Sequence, residues 1–115
     1  TKGRVQCYLK GTNQLELEYN GGGLTGVRTN LNDGQWHHFA FTFTSSPSNV
    51  DKLYCDAVLE KSATTALNTA TNVITFGVGP GKSTSQSWTG EIDEILLFNR
   101  VLTDAEIFAI YQHGP

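Results

Sequence analysis

The carboxylates best spaced for chemistry in this chain lie in the segment Glu91-Ile92-Asp93-Glu94. On a strand, Glu91 and Asp93 point to the same face, because successive side chains alternate. Retaining glycoside hydrolysis needs two carboxyl groups about 5 Å apart, and retaining glycosidases of the sandwich type carry them in the motif Glu-x-Asp-x-x-Glu. Leu96 stands where the last carboxylate would be, and Glu94 lies on the opposite face. The segment therefore predicts no catalysis.

Two adjacent histidines, His37 and His38, follow Trp36 and raise the alternative of a metal site. Neighbours on a strand point to opposite faces, so the pair cannot share one ion in regular geometry, and no His-x-His occurs. The pair is interpreted instead as the start of a strand after the turn at Asp33-Gly34. Each imidazole is expected to hydrogen-bond backbone or a nearby carboxylate, and Trp36 is expected in the core.

Oxygen ligands for calcium are only weakly indicated. The ion takes about six to eight oxygens, whereas Asp33, Asp56 and Asp93 are far apart in the chain and form no EF-hand loop. Aromatic rings suited to stacking on sugars are a further candidate set. Tyr8 lies on a predicted strand and Trp88 in a polar loop, so these two are the candidate ligand-binding residues.

The glycine-rich stretch 77–83 has the Gly-Lys-Ser ending of a phosphate-binding loop. Such a loop needs a further glycine five residues before the glycine of Gly-Lys-Ser, here Gly81, and a helix directly after the loop. Phe76 occupies that position, and polar residues followed by a predicted strand come next. The stretch is predicted to be a connecting loop.

Cys7 and Cys55 each alternate with apolar residues, which predicts two small buried hydrophobic side chains. A disulfide between them stays an open alternative for a secreted protein, since spacing alone does not show that their strands meet. The spacing matches no zinc motif.

The composition indicates one globular domain over residues 1–115. Eight Lys and Arg stand against eleven Asp and Glu, a net charge of −3, so no basic surplus favours nucleic acid. No apolar run has the length of a membrane span. The chain begins at Thr1, contains no methionine and shows no signal peptide, so it is interpreted as a fragment or module of a longer protein.

Period-two alternation recurs along the chain and predicts short antiparallel strands joined by polar turns. A capping box, Thr103 with Glu106, predicts one helix that ends before Gly114-Pro115. The stretches 62–72 and 77–87 are predicted mainly as loops. Together these elements favour a sandwich or a barrel. The predicted strands are 4–10, 14–20, 36–44, 52–59, 73–78 and 91–98.

Five motifs, in order, resemble the laminin-G-like family of concanavalin A-like jelly-roll domains. The sequence DGQWHHFA at 33–40 is similar to the family's Asp-Gly-x-Trp-His-His stretch, and KLYCDA at 52–57 is similar to its strand ending in Asp-Gly. TFG at 75–77, GEIDEI at 90–95 and FNRVLTDAEI at 98–107 resemble the other three. Order and spacing agree across about residues 3–114.

The resemblance implies an all-β fold, a two-sheet antiparallel jelly-roll sandwich (concanavalin A-like) with one short C-terminal helix. It implies a non-catalytic, secreted or surface-displayed module that binds a glycan or a protein surface and does not insert into membranes. Some members bind calcium, and Asp93 is the position carried over as a metal ligand. A structural or assembly module of a surface or virion protein is the alternative, and Leu96 disfavours a glycoside hydrolase.

Two departures from the family pattern carry expectations of their own. Asp56-Ala57 replaces Asp-Gly, so the turn there is expected to be shifted or reshaped. The family usually opens with strands before the equivalent of Gly3, which are missing here, so an open sheet edge is expected. Such an edge invites pairing with a second copy or a neighbouring module.

Overall fold

The computed structural model describes residues 5–19, 22–66, 77 and 88–114. These residues form the strands β1 (Val5–Lys10), β2 (Gln14–Tyr19), β3 (Gly22–Thr25), β4 (Phe39–Phe43), β5 (Val50–Cys55) and β6 (Val58–Thr64), and the helix α1 (Asp104–Gln112). The strands make two antiparallel three-stranded sheets, in the orders β1-β2-β3 and β4-β5-β6. Among the described residues, no helix is long and apolar enough to span a membrane.

The two sheets share one apolar core. Alternate residues of β2, Leu15, Leu17 and Tyr19, face it from the first sheet, and Leu53 and Cys55 of β5 face it from the second; all are 4% exposed or less. Burying such a leucine side chain contributes about 2 kcal/mol. The period-two pattern thus specifies a sandwich, and the predicted all-β antiparallel fold with a short terminal helix is confirmed.

Helix α1 contacts the face of the second sheet that points away from the core. Tyr54, one residue out of phase with the core-facing side chains of β5, donates its hydroxyl to Asp104 Oδ1 at 2.7 Å. The rings of His38 and Tyr111 lie 6.0 Å apart, and Ile107 is buried. These contacts cover the otherwise exposed side of β5.

The predicted capping box of α1 is present. The Thr103 hydroxyl accepts from the Glu106 amide, and the Glu106 carboxylate accepts from the Thr103 amide in return. The helix ends at Gln112, before the predicted Gly-Pro stop.

The turn at Asp56-Ala57 corrects two predictions. The predicted strand 52–59 is in fact β5 and β6, which pair through Cys55 and Val58 on either side of this two-residue turn. Asp56 and Ala57 have positive φ angles of 48° and 62°, as a two-residue hairpin turn requires. The turn is therefore neither shifted nor reshaped, because alanine adopts the conformation that glycine would favour.

Other predictions about elements differ from the structure. The strand β3 (Gly22–Thr25) is absent from the predicted strands. It forms because Leu24 packs opposite Leu17, and the glycines around Leu24 obscured its alternation. The first residues of the predicted loop 62–72 belong to β6. No strand is assigned at 91–98, and the predicted strand 73–78 lies outside the described residues except for Gly77.

Trp36 is not in the core, contrary to prediction, because 51% of it is exposed. The strand after the Asp-Gly turn begins at Phe39, three residues later than predicted. The alternation that would have buried Trp36 therefore does not extend to its position.

Candidate functional site

The Asp56 carboxylate is the centre of a polar cluster at the β5–β6 turn. Its Oδ2 accepts from Arg28 Nη1 at 2.6 Å and lies 3.0 Å from His37 Nδ1. Its Oδ1 accepts from the His38 backbone amide at 2.9 Å. We call Arg28, Asp33, His37, Cys55, Asp56 and Glu60 the Asp56 cluster.

The local backbone conformation orients two of these carboxylates, those of Asp56 and Asp33. The tight turn points Asp56 back toward the residues that precede β4. In the Asp33-Gly34 turn, Asp33 Oδ1 accepts from the Gln35 amide at 2.9 Å and lies 3.1 Å from His37 Nε2. His37 is thus held between two carboxylates, in agreement with the prediction that its imidazole hydrogen-bonds a nearby carboxylate.

A β-bulge places the third carboxylate. In the β5–β6 ladder, Tyr54 pairs with Leu59 but Leu53 pairs with Lys61, so Glu60 is the extra residue, and bulges commonly redirect a side chain. Glu60 Oε2 accepts from the backbone amide of Arg28 at 2.8 Å, and its Oε1 lies 3.4 Å from the Arg28 Nε.

Arg28 is the only permanently charged cation of the cluster. Besides its contacts to Asp56 and Glu60, its Nη2 donates to the Cys55 carbonyl at 3.0 Å. The guanidinium therefore joins the segment after β3 to both strands of the β5–β6 hairpin. No local motif marks Arg28, so the sequence pattern did not predict its role.

Hydrogen bonding favours the charged forms of three cluster residues. Burial lowers the pKa of His37, but the bonds with Asp56 and Asp33 outweigh it and raise this pKa above its ordinary value. Burial raises the pKa of Asp56, but the bonds from His37 and the His38 amide leave it lowered. The Gln35 amide, followed by His37, lowers the pKa of Asp33. The two carboxylates thus stabilise the protonated form of the His37 imidazole relative to its neutral form.

His38 and Cys55 are affected differently because they are desolvated. Burial lowers the pKa of His38, and its Nδ1 has no hydrogen-bond partner among the described residues, so the bond expected for this imidazole is not found at that atom. Burial, reinforced by the Asp56 charge, raises the pKa of the Cys55 thiol to about 12.

The two cysteines have different environments, and both thiols are free. Cys55 is fully buried, as predicted, whereas Cys7 is exposed, contrary to prediction. Its strand, β1, pairs on one side with β2 and lies at the edge of the described sheet, where alternation does not ensure burial.

The structure brings together two of the three aspartates considered for calcium. Asp33 and Asp56 both contact His37, whereas Asp93 is exposed and its Oδ1 accepts from the adjacent Glu94 amide at 2.8 Å. The described part of the chain thus does not assemble the three carboxylates at one point. Glu91, like Asp93, lies in an exposed segment.

Tyr8 lies in a second polar region, on the face of the β1-β2-β3 sheet that points away from the core. Its hydroxyl donates to Glu18 Oε2 at 2.8 Å. Glu16 is 6% exposed, accepts from the Thr25 hydroxyl, and lies 3.4 Å from Lys10 Nζ. We call this surface the Tyr8 face; its residues are Tyr8, Lys10, Gln14, Glu16, Glu18 and Thr25.

Tyr8 is the residue of this face that was predicted from the sequence to bind ligand; its neighbours were not. Glu16 and Glu18 alternate with core leucines in β2, and that period-two pattern was the available signal. What it lacked was the register that brings Tyr8 opposite Glu16.

Trp88, the second predicted ligand-binding residue, is 39% exposed. Its amide donates to the Gly77 carbonyl at 2.8 Å. A Cβ on Gly90, which has a φ of 142°, would come within 3.2 Å of the indole Nε1. The rest of the predicted loop 77–87 lies outside the described residues.

Comparison with known proteins identifies the sequence at the family level. The Laminin_G_3 family model, described as the concanavalin A-like lectin/glucanases superfamily, matches residues 1–108. Comparison with curated proteins gave no significant match.

One solved structure supports the fold. It comprises residues 221–444 of an S-layer domain-containing protein from Clostridium thermocellum ATCC 27405, with a TM-score of 0.57 and 17% identity. The similarity covers 96% of this chain and 57% of that one. The chain thus spans little more than half of that structure, and the likeness concerns the fold alone.

Proposed function

Because the chain belongs to the concanavalin A-like lectin/glucanases superfamily, we propose that it is a non-catalytic surface module that binds carbohydrate through the Tyr8 face. The observation that carries the proposal is the hydrogen-bonded array on that face, in which an aromatic ring is surrounded by carboxylate, amide, ammonium and hydroxyl groups. Sugars present both apolar ring faces and hydroxyl groups, so they match such a surface.

The array is already ordered before any ligand binds. The hydroxyl of Tyr8 is fixed by Glu18, and Glu16 is held by Lys10 and Thr25. A ring held in this way loses little conformational freedom on binding, which favours affinity. Tyrosine also combines an apolar body with a polar end, a combination that suits a ligand with both kinds of surface.

The same contacts support a binding role over hydrolysis. Glu16 and Glu18 share one face of β2, but each already accepts a hydrogen bond from a neighbouring side chain. Retaining hydrolysis requires one carboxyl as nucleophile and one as acid, and both of these serve as acceptors. A secreted or surface location agrees with the family and with the S-layer protein that shares the fold.

A glycan array screened with the whole chain, in calcium and in chelator, tests the proposal. Binding to at least one glycan is expected, and Tyr8→Ala should weaken it about tenfold or more, equivalent to at least about 1.4 kcal/mol. Phe108→Ala is the matched control, since it removes an exposed aromatic side chain from α1. Trp88→Ala, measured in parallel, determines whether that second predicted residue contributes.

Three results would contradict the proposal. The first is no binding to any glycan in either condition. The second is a loss of affinity in Phe108→Ala as large as that in Tyr8→Ala. The third is hydrolysis of β-glucan by the wild-type chain, which would replace a binding module with an enzyme. Loss of binding in chelator would instead support the calcium ligand predicted at Asp93, if Asp93→Asn had the same effect.

An assembly role is the second candidate, because several apolar side chains near the helix are exposed. Leu96 and Leu97 are 55% and 69% exposed, and Phe98 is 49% exposed. Surfaces of this kind commonly mark protein contacts. Sedimentation of the same samples distinguishes the candidates: concentration-dependent association that Leu97→Ser abolishes, without glycan binding, would favour assembly.

A further inference from the structure

Three different metal-ligating atoms converge within the Asp56 cluster. The His37 imidazole nitrogen, the Cys55 Sγ and an Asp56 carboxylate oxygen lie within 4.8 Å of one another. Asp56 Oδ2 is 3.0 Å from His37 Nδ1 and 3.9 Å from Cys55 Sγ. A tetrahedral zinc site with bonds of about 2.0–2.3 Å has ligand-to-ligand edges of roughly 3.3–3.8 Å. The two separations from Asp56 Oδ2 differ from those edges by a few tenths of an ångström. The separation between the His37 nitrogen and Cys55 Sγ, at up to 4.8 Å, would have to shorten by as much as roughly 1.0–1.5 Å on metal binding.

From this convergence we propose that His37 Nδ1, Cys55 Sγ and Asp56 Oδ2 form a binding site for a divalent transition metal of the zinc class. A mixed nitrogen, sulfur and oxygen set suits such ions, whereas calcium and magnesium require oxygen ligands. With three protein ligands, the fourth position would be open to water or to another ligand.

The second nitrogen of His37 has the partner that metal-binding histidines usually have. Asp33 Oδ1 lies 3.1 Å from His37 Nε2 and is itself fixed by the Gln35 amide. A carboxylate on the distal nitrogen fixes the ring orientation and increases the basicity of the nitrogen that binds the metal. This arrangement leaves Nδ1 directed toward Asp56 and Cys55.

The charges of the cluster also favour a dication. Asp33, Asp56 and Glu60 supply three carboxylates, and Arg28 supplies one permanent positive charge. The metal must replace the Arg28 contact at Asp56 Oδ2. Arg28 would keep its contacts to Glu60 and to the Cys55 carbonyl, so the guanidinium would remain paired. On binding, the thiol proton of Cys55 and any proton on Nδ1 would pass to solvent.

Cobalt titration of the reduced, tag-free chain tests the site directly. A thiolate-to-cobalt charge-transfer band should appear with a stoichiometry of one, and zinc should displace it and raise the melting temperature. Cys55→Ser should abolish the band, whereas Cys7→Ser, the matched control, should keep it. Asp33→Asn should weaken cobalt affinity roughly 10- to 100-fold, since it removes the partner of a ligand.

The result can overturn the proposal in several ways. No band in the wild-type chain would refute it, and so would a band that survives in folded Cys55→Ser or disappears in Cys7→Ser. Cys55 is fully buried, so Cys55→Ser could fail to fold, as circular dichroism would show. In that case Asp33→Asn, at an exposed position, provides the test: unchanged cobalt affinity in this variant would count against the site. Glycan binding at the Tyr8 face is scored separately, so either proposal can fail alone.

Discussion

Two polar clusters flank β5, and they differ in how far apart in sequence their members lie. The Asp56 cluster joins Asp56 to Arg28, 28 residues away, and to His37, 19 residues away. The cap of α1 joins Glu106 to Arg100 and Thr103, which are six and three residues away. The first connects loops and hairpins of the sandwich, whereas the second only starts a helix.

The clusters also differ in exposure, and this difference determines how much each stabilises the fold. The side chains of His37 and Asp56 are 14% and 15% exposed, against 57% and 40% for Arg100 and Glu106. Exposed ion pairs contribute about 0.2–1 kcal/mol, whereas breaking a buried pair costs several kcal/mol because one charge is left uncompensated. The 2.7 Å contact between Arg100 and Glu106 is shorter than the 3.0 Å contact between His37 and Asp56, but it does not therefore contribute more to stability.

Replacing Asp56 with asparagine should have the largest effect. The change leaves Arg28 and His37 without their shared carboxylate, so we expect about 3 kcal/mol of lost unfolding free energy. Urea unfolding in the presence of chelator measures it without any metal contribution.

The matched control for this change is Asp93→Asn. Asp93 is exposed, and its hydrogen bond within the described part of the chain is to the neighbouring amide of Glu94, so its substitution should change the unfolding free energy by no more than about 0.5 kcal/mol. Equal losses in Asp56→Asn and Asp93→Asn would show that the Asp56 cluster does not stabilise the fold.

Replacing Ala57 with glycine should stabilise the chain. Ala57 has a φ of 62°, which is unfavourable for alanine and not for glycine, so we expect a gain of about 1 kcal/mol. The same substitution at Ala109, an exposed position within α1, should instead cost about 1 kcal/mol. Opposite signs in thermal unfolding are the expected result; a loss at Ala57 would contradict the turn geometry.

The pH dependence of the helix cap should be the smallest effect. Hydrogen bonds from Arg100 and the Thr103 amide lower the pKa of Glu106 from 4.5 to about 2. Because this pKa is lower in the folded chain than in the unfolded chain, the ionised carboxylate stabilises the folded state at pH values above the pKa of the unfolded chain. The stabilisation is lost as the pH falls through the pKa of the folded chain. The advantage of wild type over Glu106→Gln should therefore be full above pH 4.5 and vanish by about pH 2.

Urea unfolding of both chains at a series of pH values measures that advantage. High salt should reduce it, because the pair is exposed. An advantage that persists unchanged at pH 2, or that grows as pH falls, would show that the charge on Glu106 is not its source.

The elements that could be predicted depend mostly on local patterns. Alternation in β2 and the capping box at Thr103 each need only neighbouring residues, and both are confirmed. The misassigned elements needed non-local information. β3 depends on Leu24 packing against Leu17, and the two-strand nature of 52–59 depends on alanine accepting a positive φ.

The candidate sites show the same division. Tyr8 could be selected because it is an aromatic residue on an alternating strand, and His37 was expected to contact a carboxylate. The partners Asp33 and Asp56, however, were considered for calcium and could not be placed on the same imidazole. Arg28 was missed, because an arginine after a glycine-rich stretch carries no signal of its own.

By itself the sequence determined the all-β class, the core-facing side of β2 and the start of α1, because periodicity and capping act over a few residues. Only the tertiary structure decided that Asp33, Asp56 and Cys55 meet around His37. That meeting depends on the positive-φ turn at Asp56-Ala57 and on the pairing of β4 with β5. The pairing joins residues that are separated in the chain, such as Phe39 and Cys55, and local periodicity does not specify it.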